Sequence, residues 1–112
     1  MPRLGFIGCG AIGGGIIEGL CTDESAQETY QISVYDPDTS SRAAEFATSY
    51  ANVTIAKSNQ DVIDGADMVF LGLGNFGPKA LSATEIKTVV KGLQFSSHHV
   101  VVCETAGLLG LP

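Results

Sequence analysis

Three glycines, Gly8, Gly10 and Gly13, stand at G-x-G-x-x-G spacing inside the stretch GFIGCGAIGGG, residues 5–15, which holds six glycines in eleven positions. Glycine inside a strand or helix costs about 0.5–1 kcal/mol relative to alanine, so this density signals a geometric demand that side chains would obstruct. The chemistry open to such a loop is anion binding by bare backbone. Gly8 permits a tight turn, Gly10 lets the chain approach a phosphate, and Gly13 lets a helix lie close to a strand. A phosphate placed there meets the unpaired N–H groups and positive end of that helix. The next chemistry-bearing residue is Asp36, a carboxylate able to accept hydrogen bonds from sugar hydroxyls. Cys9 lies between two of the glycines and has no identifiable base partner, so it reads as a small filler rather than a nucleophile.

The elements that must position these groups follow from periodicity. Short apolar runs alternate with segments of helical period, the pattern of a parallel sheet covered by helices on both faces. Residues 3–8, 31–36, 53–56, 67–73 and 99–104 read as five strands. Residues 11–21, 42–50, 58–65 and 79–92 read as four helices. Ser40 or Ser41 is expected to cap the second of these helices and Ser58 the third, with Gly65 ending the third. The polar patch 22–29 reads as a loop. The expected fold is therefore α/β, a Rossmann-type open parallel sheet of order 3-2-1-4-5 within one domain, residues 1–112.

That context sharpens the glycine motif. It follows a strand, opens a helix and is succeeded by Asp36 at the end of the second strand, the arrangement that binds a dinucleotide pyrophosphate. A carboxylate at Asp36 favours NAD by contacting the adenosine ribose and repelling a 2'-phosphate. Ser40, Ser41 and Arg42 would hold that phosphate if Asp36 turned away, so NAD and NADP both stay open. Ligands of open parallel sheets lie beyond the carboxyl ends of the strands, where residues 8–13, 72–76 and 104–107 converge. Gly72, Gly74 and Gly77 would admit close backbone approach near the nicotinamide ribose. Glu104 lies at this end and serves equally well as a ligand contact, a helix cap or a solvated residue. His98 and His99 fall at the opposite end and read as surface residues.

Composition narrows the remaining classes. The net charge is −6, with six Lys and Arg spread singly over 112 residues, which leaves no basic face for nucleic acid. No apolar run reaches membrane-spanning length, and the amino terminus starts on a strand rather than a cleavable signal. Cys9, Cys21 and Cys103 form neither a C-x-x-C pair nor a metal-ligand pattern, and they read as reduced thiols in a cytoplasmic protein. No metal site and no catalytic side chain is assigned.

With these motifs placed, the chain resembles the amino-terminal dinucleotide-binding domain of pyrroline-5-carboxylate reductase. The resemblance rests on GFIGCGAIGGGIIEGL, SNQDVIDGADMVFLGL and HVVVCETAGL, and it covers nearly the whole chain. The opening motif is shared with β-hydroxyacid-type dehydrogenases. The resemblance implies that Ile7, Gly8, Cys9, Gly10, Ala11 and Ile12 hold the pyrophosphate and that Asn59 hydrogen-bonds the adenosine end. It places Gly72, Leu73, Gly74 and Asn75 beside the nicotinamide, where the family has Ala-Val-Lys-Pro, and Glu104, Thr105 and Ala106 on the last cofactor-touching stretch. Two departures are the loss of Lys-Pro and the charge at Glu104.

Family members continue into a helical domain that makes the dimer and much of the pocket for the cyclic imine. The resemblance thus implies hydride transfer from NAD(P)H to a C=N carbon in proline biosynthesis, with this isolated chain inactive and its small-molecule substrate dependent on a second domain. The alternatives are a stand-alone NAD(P)-binding regulatory module and the cofactor domain of another β-hydroxyacid-type dehydrogenase. Apolar surface left bare without a second domain would favour self-association into a homo-oligomer.

Overall fold

Alternate residues of the first strand enter two different cores, and this division organises the molecule. The computed structural model describes residues 2–38, 41–72 and 83–103. In β1 (Arg3–Ile7), Leu4 and Phe6 are buried on one face of the sheet and Ile7 on the other, as the two-residue period of a strand requires. β2 (Gln31–Tyr35) pairs with β1 in parallel, from Arg3 opposite Gln31 to Ile7 opposite Tyr35. β4 (Met68–Leu71) flanks the other side of β1, from Leu4 opposite Met68 to Ile7 opposite Leu71. β3 (Val53–Ile55) and β5 (Val100–Cys103) complete an all-parallel sheet of order β3-β2-β1-β4-β5. That is the order expected from the sequence.

On one face, α1 (Ala11–Cys21) and α3 (Ala43–Ser49) bury Ile17, Cys21, Ala43 and Phe46 against Leu4, Phe6, Ile32 and Val34. The Phe6 and Phe70 rings stack across neighbouring strands on this side, 4.5 Å apart and 4° from parallel. On the opposite face, α4 (Asn59–Asp64) buries Val62 and Ile63 against Ile7, Val69 and Leu71. Val89 and Val90 of α5 (Ala83–Lys91) flank the same core. Ser58 caps α4 as expected, its hydroxyl accepting the Asp61 N–H at 3.1 Å, and Gly65 ends it.

The structure corrects the reading in two places. Residues 22–29 are not all loop, because Glu24–Thr29 forms a further helix, α2, with the Asp23 carboxylate accepting the Ser25 N–H at 2.9 Å. This helix has no buried residue and therefore no apolar stripe for periodicity to detect; its hold is the cap, a Thr29 hydroxyl bond to the Ser25 carbonyl, and the Gln27 side-chain amide on the Cys21 carbonyl. The cap of α3 also falls later than expected, at Arg42, with no side-chain cap bond; the Ser41 hydroxyl accepts the Ala43 N–H at 3.4 Å. Residues 39–40, 73–82 and 104–112 lie outside the described residues, and with them the ends assigned to the fourth and fifth strands and the start of the last helix.

Two glycines show opposite reasons for being present. At Gly5, α4 crosses β1 so closely that a methyl group would lie 2.6 Å from Val62 Cγ1 and 2.9 Å from Ala66 Cβ. At Gly15, in α1, nothing lies within 4 Å of that position. The edge strand β5 leaves Val100, Val101 and Val102 exposed in succession, at 54%, 43% and 36%, so both of its faces are uncovered among the described residues. Gly5→Ala is expected to lower stability by about 1–3 kcal/mol through overpacking, whereas Gly15→Ala should raise it by about 0.5–1 kcal/mol through helix propensity. Urea denaturation of both variants checks the pair, and a stabilised Gly5→Ala would contradict the packing described.

Candidate dinucleotide site

The carboxyl ends of β1, β2 and β4 are tied together by backbone groups of the glycine loop. The Gly8 N–H donates to the Tyr35 carbonyl at 2.8 Å, and the Gly72 N–H donates to the Ile7 carbonyl at 2.8 Å. Gly8 has φ +94°, and a methyl group on it would sit 2.4 Å from the Gly72 carbonyl oxygen. Any other L residue would therefore be strained in backbone and blocked in space. Gly8 is thus the tight turn that the motif demands.

The chain next enters α1 through Gly10, which occupies the N-cap with an extended backbone and makes no side-chain cap bond. The first turn of α1 carries no acidic residue. This helix therefore opens with N–H groups that no capping side chain satisfies, facing the carboxyl edge of the sheet. Ala11 and Ile12 contribute backbone to that first turn, and Gly13 is buried within it. Ile7 has its side chain fully buried in the core beneath α4, so only its backbone belongs to the site edge. A methyl group on Gly14 would lie at ordinary contact distance, 3.8 Å, from Cys9 and Phe46.

Asp36 lies just past β2 and is engaged from two sides. One carboxylate oxygen accepts the Cys9 N–H at 2.8 Å, and the other accepts the Asp38 N–H at 2.9 Å. The acid is therefore a clamp on the glycine loop, a role that its sequence spacing does not disclose. Cys9 itself is buried. Burial, and then the neighbouring Asp36 carboxylate, push its thiol up to about 11, only partly opposed by Arg42. Such a thiol stays protonated at neutral pH, in keeping with a packing residue.

Asn59 begins α4, directly after the loop leaving β3, and so belongs to the same carboxyl edge. Its side-chain carbonyl oxygen is buried without a hydrogen-bond partner. An orphaned buried acceptor is rare, and a hydrogen bond from a bound ligand or water would satisfy it. Together with the bare Gly8 turn and the uncapped start of α1, it fits a dinucleotide lying along this edge. Leu73, Gly74, Asn75, Gly77, Glu104, Thr105 and Ala106 lie outside the described residues, as does Ser40.

Sequence reasoning named Arg42 as a candidate phosphate holder but missed its pairing with Glu18 of another helix. Arg42 donates to Glu18 of α1 at 2.9 Å, approaches Glu45 at 3.6 Å and lies 4.6 Å from the centroid of the Phe46 ring. Partners on different helices carry no local spacing signal. His99, read as a surface residue, is half-buried. Its Nδ1 accepts the Ser96 N–H at 2.9 Å and its Nε2 lies 2.9 Å from the Ile63 carbonyl, so it fastens the start of β5 to α4. His98 is exposed. Among the described residues no group of three or more His, Cys, Asp or Glu could hold a metal ion, and no helix is long and apolar enough to cross a membrane.

Comparisons with known proteins agree with this geometry. The profile of the family described as NADP oxidoreductase, coenzyme F420-dependent, matches residues 3–107. The crystal structure of a 1-pyrroline-5-carboxylate reductase from Streptococcus pyogenes is similar to this chain with a TM-score of 0.58 and 26% identity, over 90% of this chain and 33% of that one. The chain thus spans about a third of the length of that reductase. No curated protein matches it. The likeness to pyrroline-5-carboxylate reductases read from the three sequence stretches is supported by both matches.

The thiol at Cys9 provides a test. Because its value is raised in the fold, its contribution to stability is complete below the ordinary thiol value of 9.0 and is lost as pH rises from there through about 11. Iodoacetamide at pH 8, read by peptide mass spectrometry, should modify Cys9 far more slowly in the native protein than in urea. Rapid native labelling would contradict its placement.

Proposed function

This chain belongs to the family described as NADP oxidoreductase, coenzyme F420-dependent, and on that premise we propose that residues 1–112 are the nicotinamide-dinucleotide domain of a pyrroline-5-carboxylate reductase-like enzyme. The single observation that carries the reading is the carboxyl edge of the sheet. There a φ +94° glycine and an uncapped helix start share the β1–α1 connection, and the unpartnered Asn59 oxygen lies after β3 on the same edge. In this reading Gly8 to Gly13 present backbone N–H groups to the pyrophosphate, Asp36 meets the adenosine ribose, and the Asn59 side chain accepts a hydrogen bond at the adenosine end. Gly72 to Asn75 and Glu104 to Ala106 are assigned to the nicotinamide end by the family likeness.

When bound, the reduced dinucleotide supplies a hydride, and the acceptor proposed is the C=N carbon of a cyclic imine in proline biosynthesis. The chain's own contribution is to bind and orient. The substrate pocket is assigned to a second, helical domain of the kind that full-length reductases carry. The exposed valines of β5 supply an apolar edge for further structure to cover. The 112 residues alone are accordingly proposed to bind cofactor without turning over substrate. A cytoplasmic setting is part of the same proposal.

Titration calorimetry with reduced dinucleotide is expected to give saturable one-to-one binding. Gly10→Trp should abolish it while keeping the helical circular dichroism of the parent. The parent chain should show no oxidation of reduced dinucleotide when pyrroline-5-carboxylate is added. Absence of binding to the parent would refute the domain assignment, and robust turnover would refute the need for a second domain.

A further inference from the structure

We propose that this site selects a dinucleotide whose adenosine ribose carries a free 2'-hydroxyl, NADH over NADPH, and that Glu18 is a positioning residue for the choice because it holds Arg42. The inference rests on the dinucleotide reading above. The family is named for NADP, yet the residues this chain gathers after β2 point the other way.

A 2'-phosphate could be admitted at the end of β2 only if Asp36 swung aside. Asp36 is held by two backbone donors, the Cys9 N–H at 2.8 Å and the Asp38 N–H at 2.9 Å. Turning the carboxylate away would strip the Cys9 amide, in a residue only 4% exposed, of that acceptor. Each carboxylate oxygen retains a further acceptor site, so ribose hydroxyls can still donate to Asp36, whereas a phosphate has only negative oxygens to offer.

The cation that would greet a phosphate is also committed elsewhere. Arg42 donates through Nη1 to Glu18 at 2.9 Å, its Nε lies 3.6 Å from Glu45, and its guanidinium covers the Phe46 ring. Its pairing with Glu18 holds the Glu18 carboxyl below the usual carboxylate range. Arg42 is thus already paired with the Glu18 and Glu45 carboxylates, and with the Asp36 carboxylate at the end of β2 these charges oppose a dianionic phosphate. The Glu18–Arg42 pair is solvent-exposed, with 49% and 45% of the side chains accessible, so added salt weakens its hold.

Parallel calorimetric titrations with NADH and NADPH at low ionic strength test this. NADH should bind at least about tenfold more tightly, because like-charge juxtaposition penalises the 2'-phosphate. Glu18→Gln should narrow that ratio by about threefold, the scale of an exposed ion pair, by improving NADPH binding while NADH affinity and thermal stability hold. The change in ratio separates positioning from a merely structural role. NADPH binding as tight as NADH, or tighter, would overturn the selectivity while leaving the dinucleotide reading intact. An unmoved ratio in Glu18→Gln would overturn the role of Glu18. Binding of neither nucleotide would defeat the dinucleotide reading and this inference together.

Discussion

The Asp36 carboxylate accepts hydrogen bonds from the backbone of two separate loops, Cys9 on one side and Asp38 on the other, and the shape of the carboxyl edge follows from those bonds. The first fixes the loop between β1 and α1 relative to β2, a link that the Gly8 N–H repeats on the Tyr35 carbonyl. With its loop fixed, α1 begins at Gly10 with its first N–H groups turned outward instead of being folded under a capping side chain. Carboxylate–amide bonds of this kind are stronger than neutral ones. The same group thus shapes the glycine loop and sets the charge beside it.

The second constraint is closeness of backbone. At Gly8 the loop passes against the Gly72 carbonyl, and at Gly5 helix α4 presses on the central strand. Each contact removes room for a side chain, and each lies on β1 or immediately after it. The central strand and the turn that follows it therefore meet two close-packing demands at once. Its glycines weaken the strand locally, and the stacked Phe6 and Phe70 rings and two separate cores offset that loss.

Much of this was legible in the residues. Alternation in β1 and β2, the nearly continuous apolar run of β4 and the stripe of α3 fixed the element order, and the short connections of a right-handed α/β chain then leave few strand orders. The glycine spacing placed the loop, since only a handful of geometries need three bare positions. What escaped was interaction without a local period. Helix α2 buries no residue, the Glu18–Arg42 pair joins distant helices, and His99 reaches Ile63 across the fold. The close approach at Gly5 had a faint signal, an isolated glycine within a strand pattern, but that the expected helix α4 packs on it shows only in the folded chain. Asp36 was found for its charge; its second role, bonding to Cys9, depends on where the loop returns.

The central claim is that a reduced dinucleotide lies along the edge built by the glycine loop, Asp36 and Asn59. Amide proton–nitrogen correlation spectra of the labelled chain, recorded during titration with NADH, address it most directly. The account predicts shifts concentrated on the backbone amides of residues 8–13, on the Cys9 and Asp38 amides bonded to Asp36, and on the Asn59 side-chain amide. Saturable shifts confined to the opposite, amino-terminal edge around Arg3, Asp67 and His99, or none at all, would contradict it.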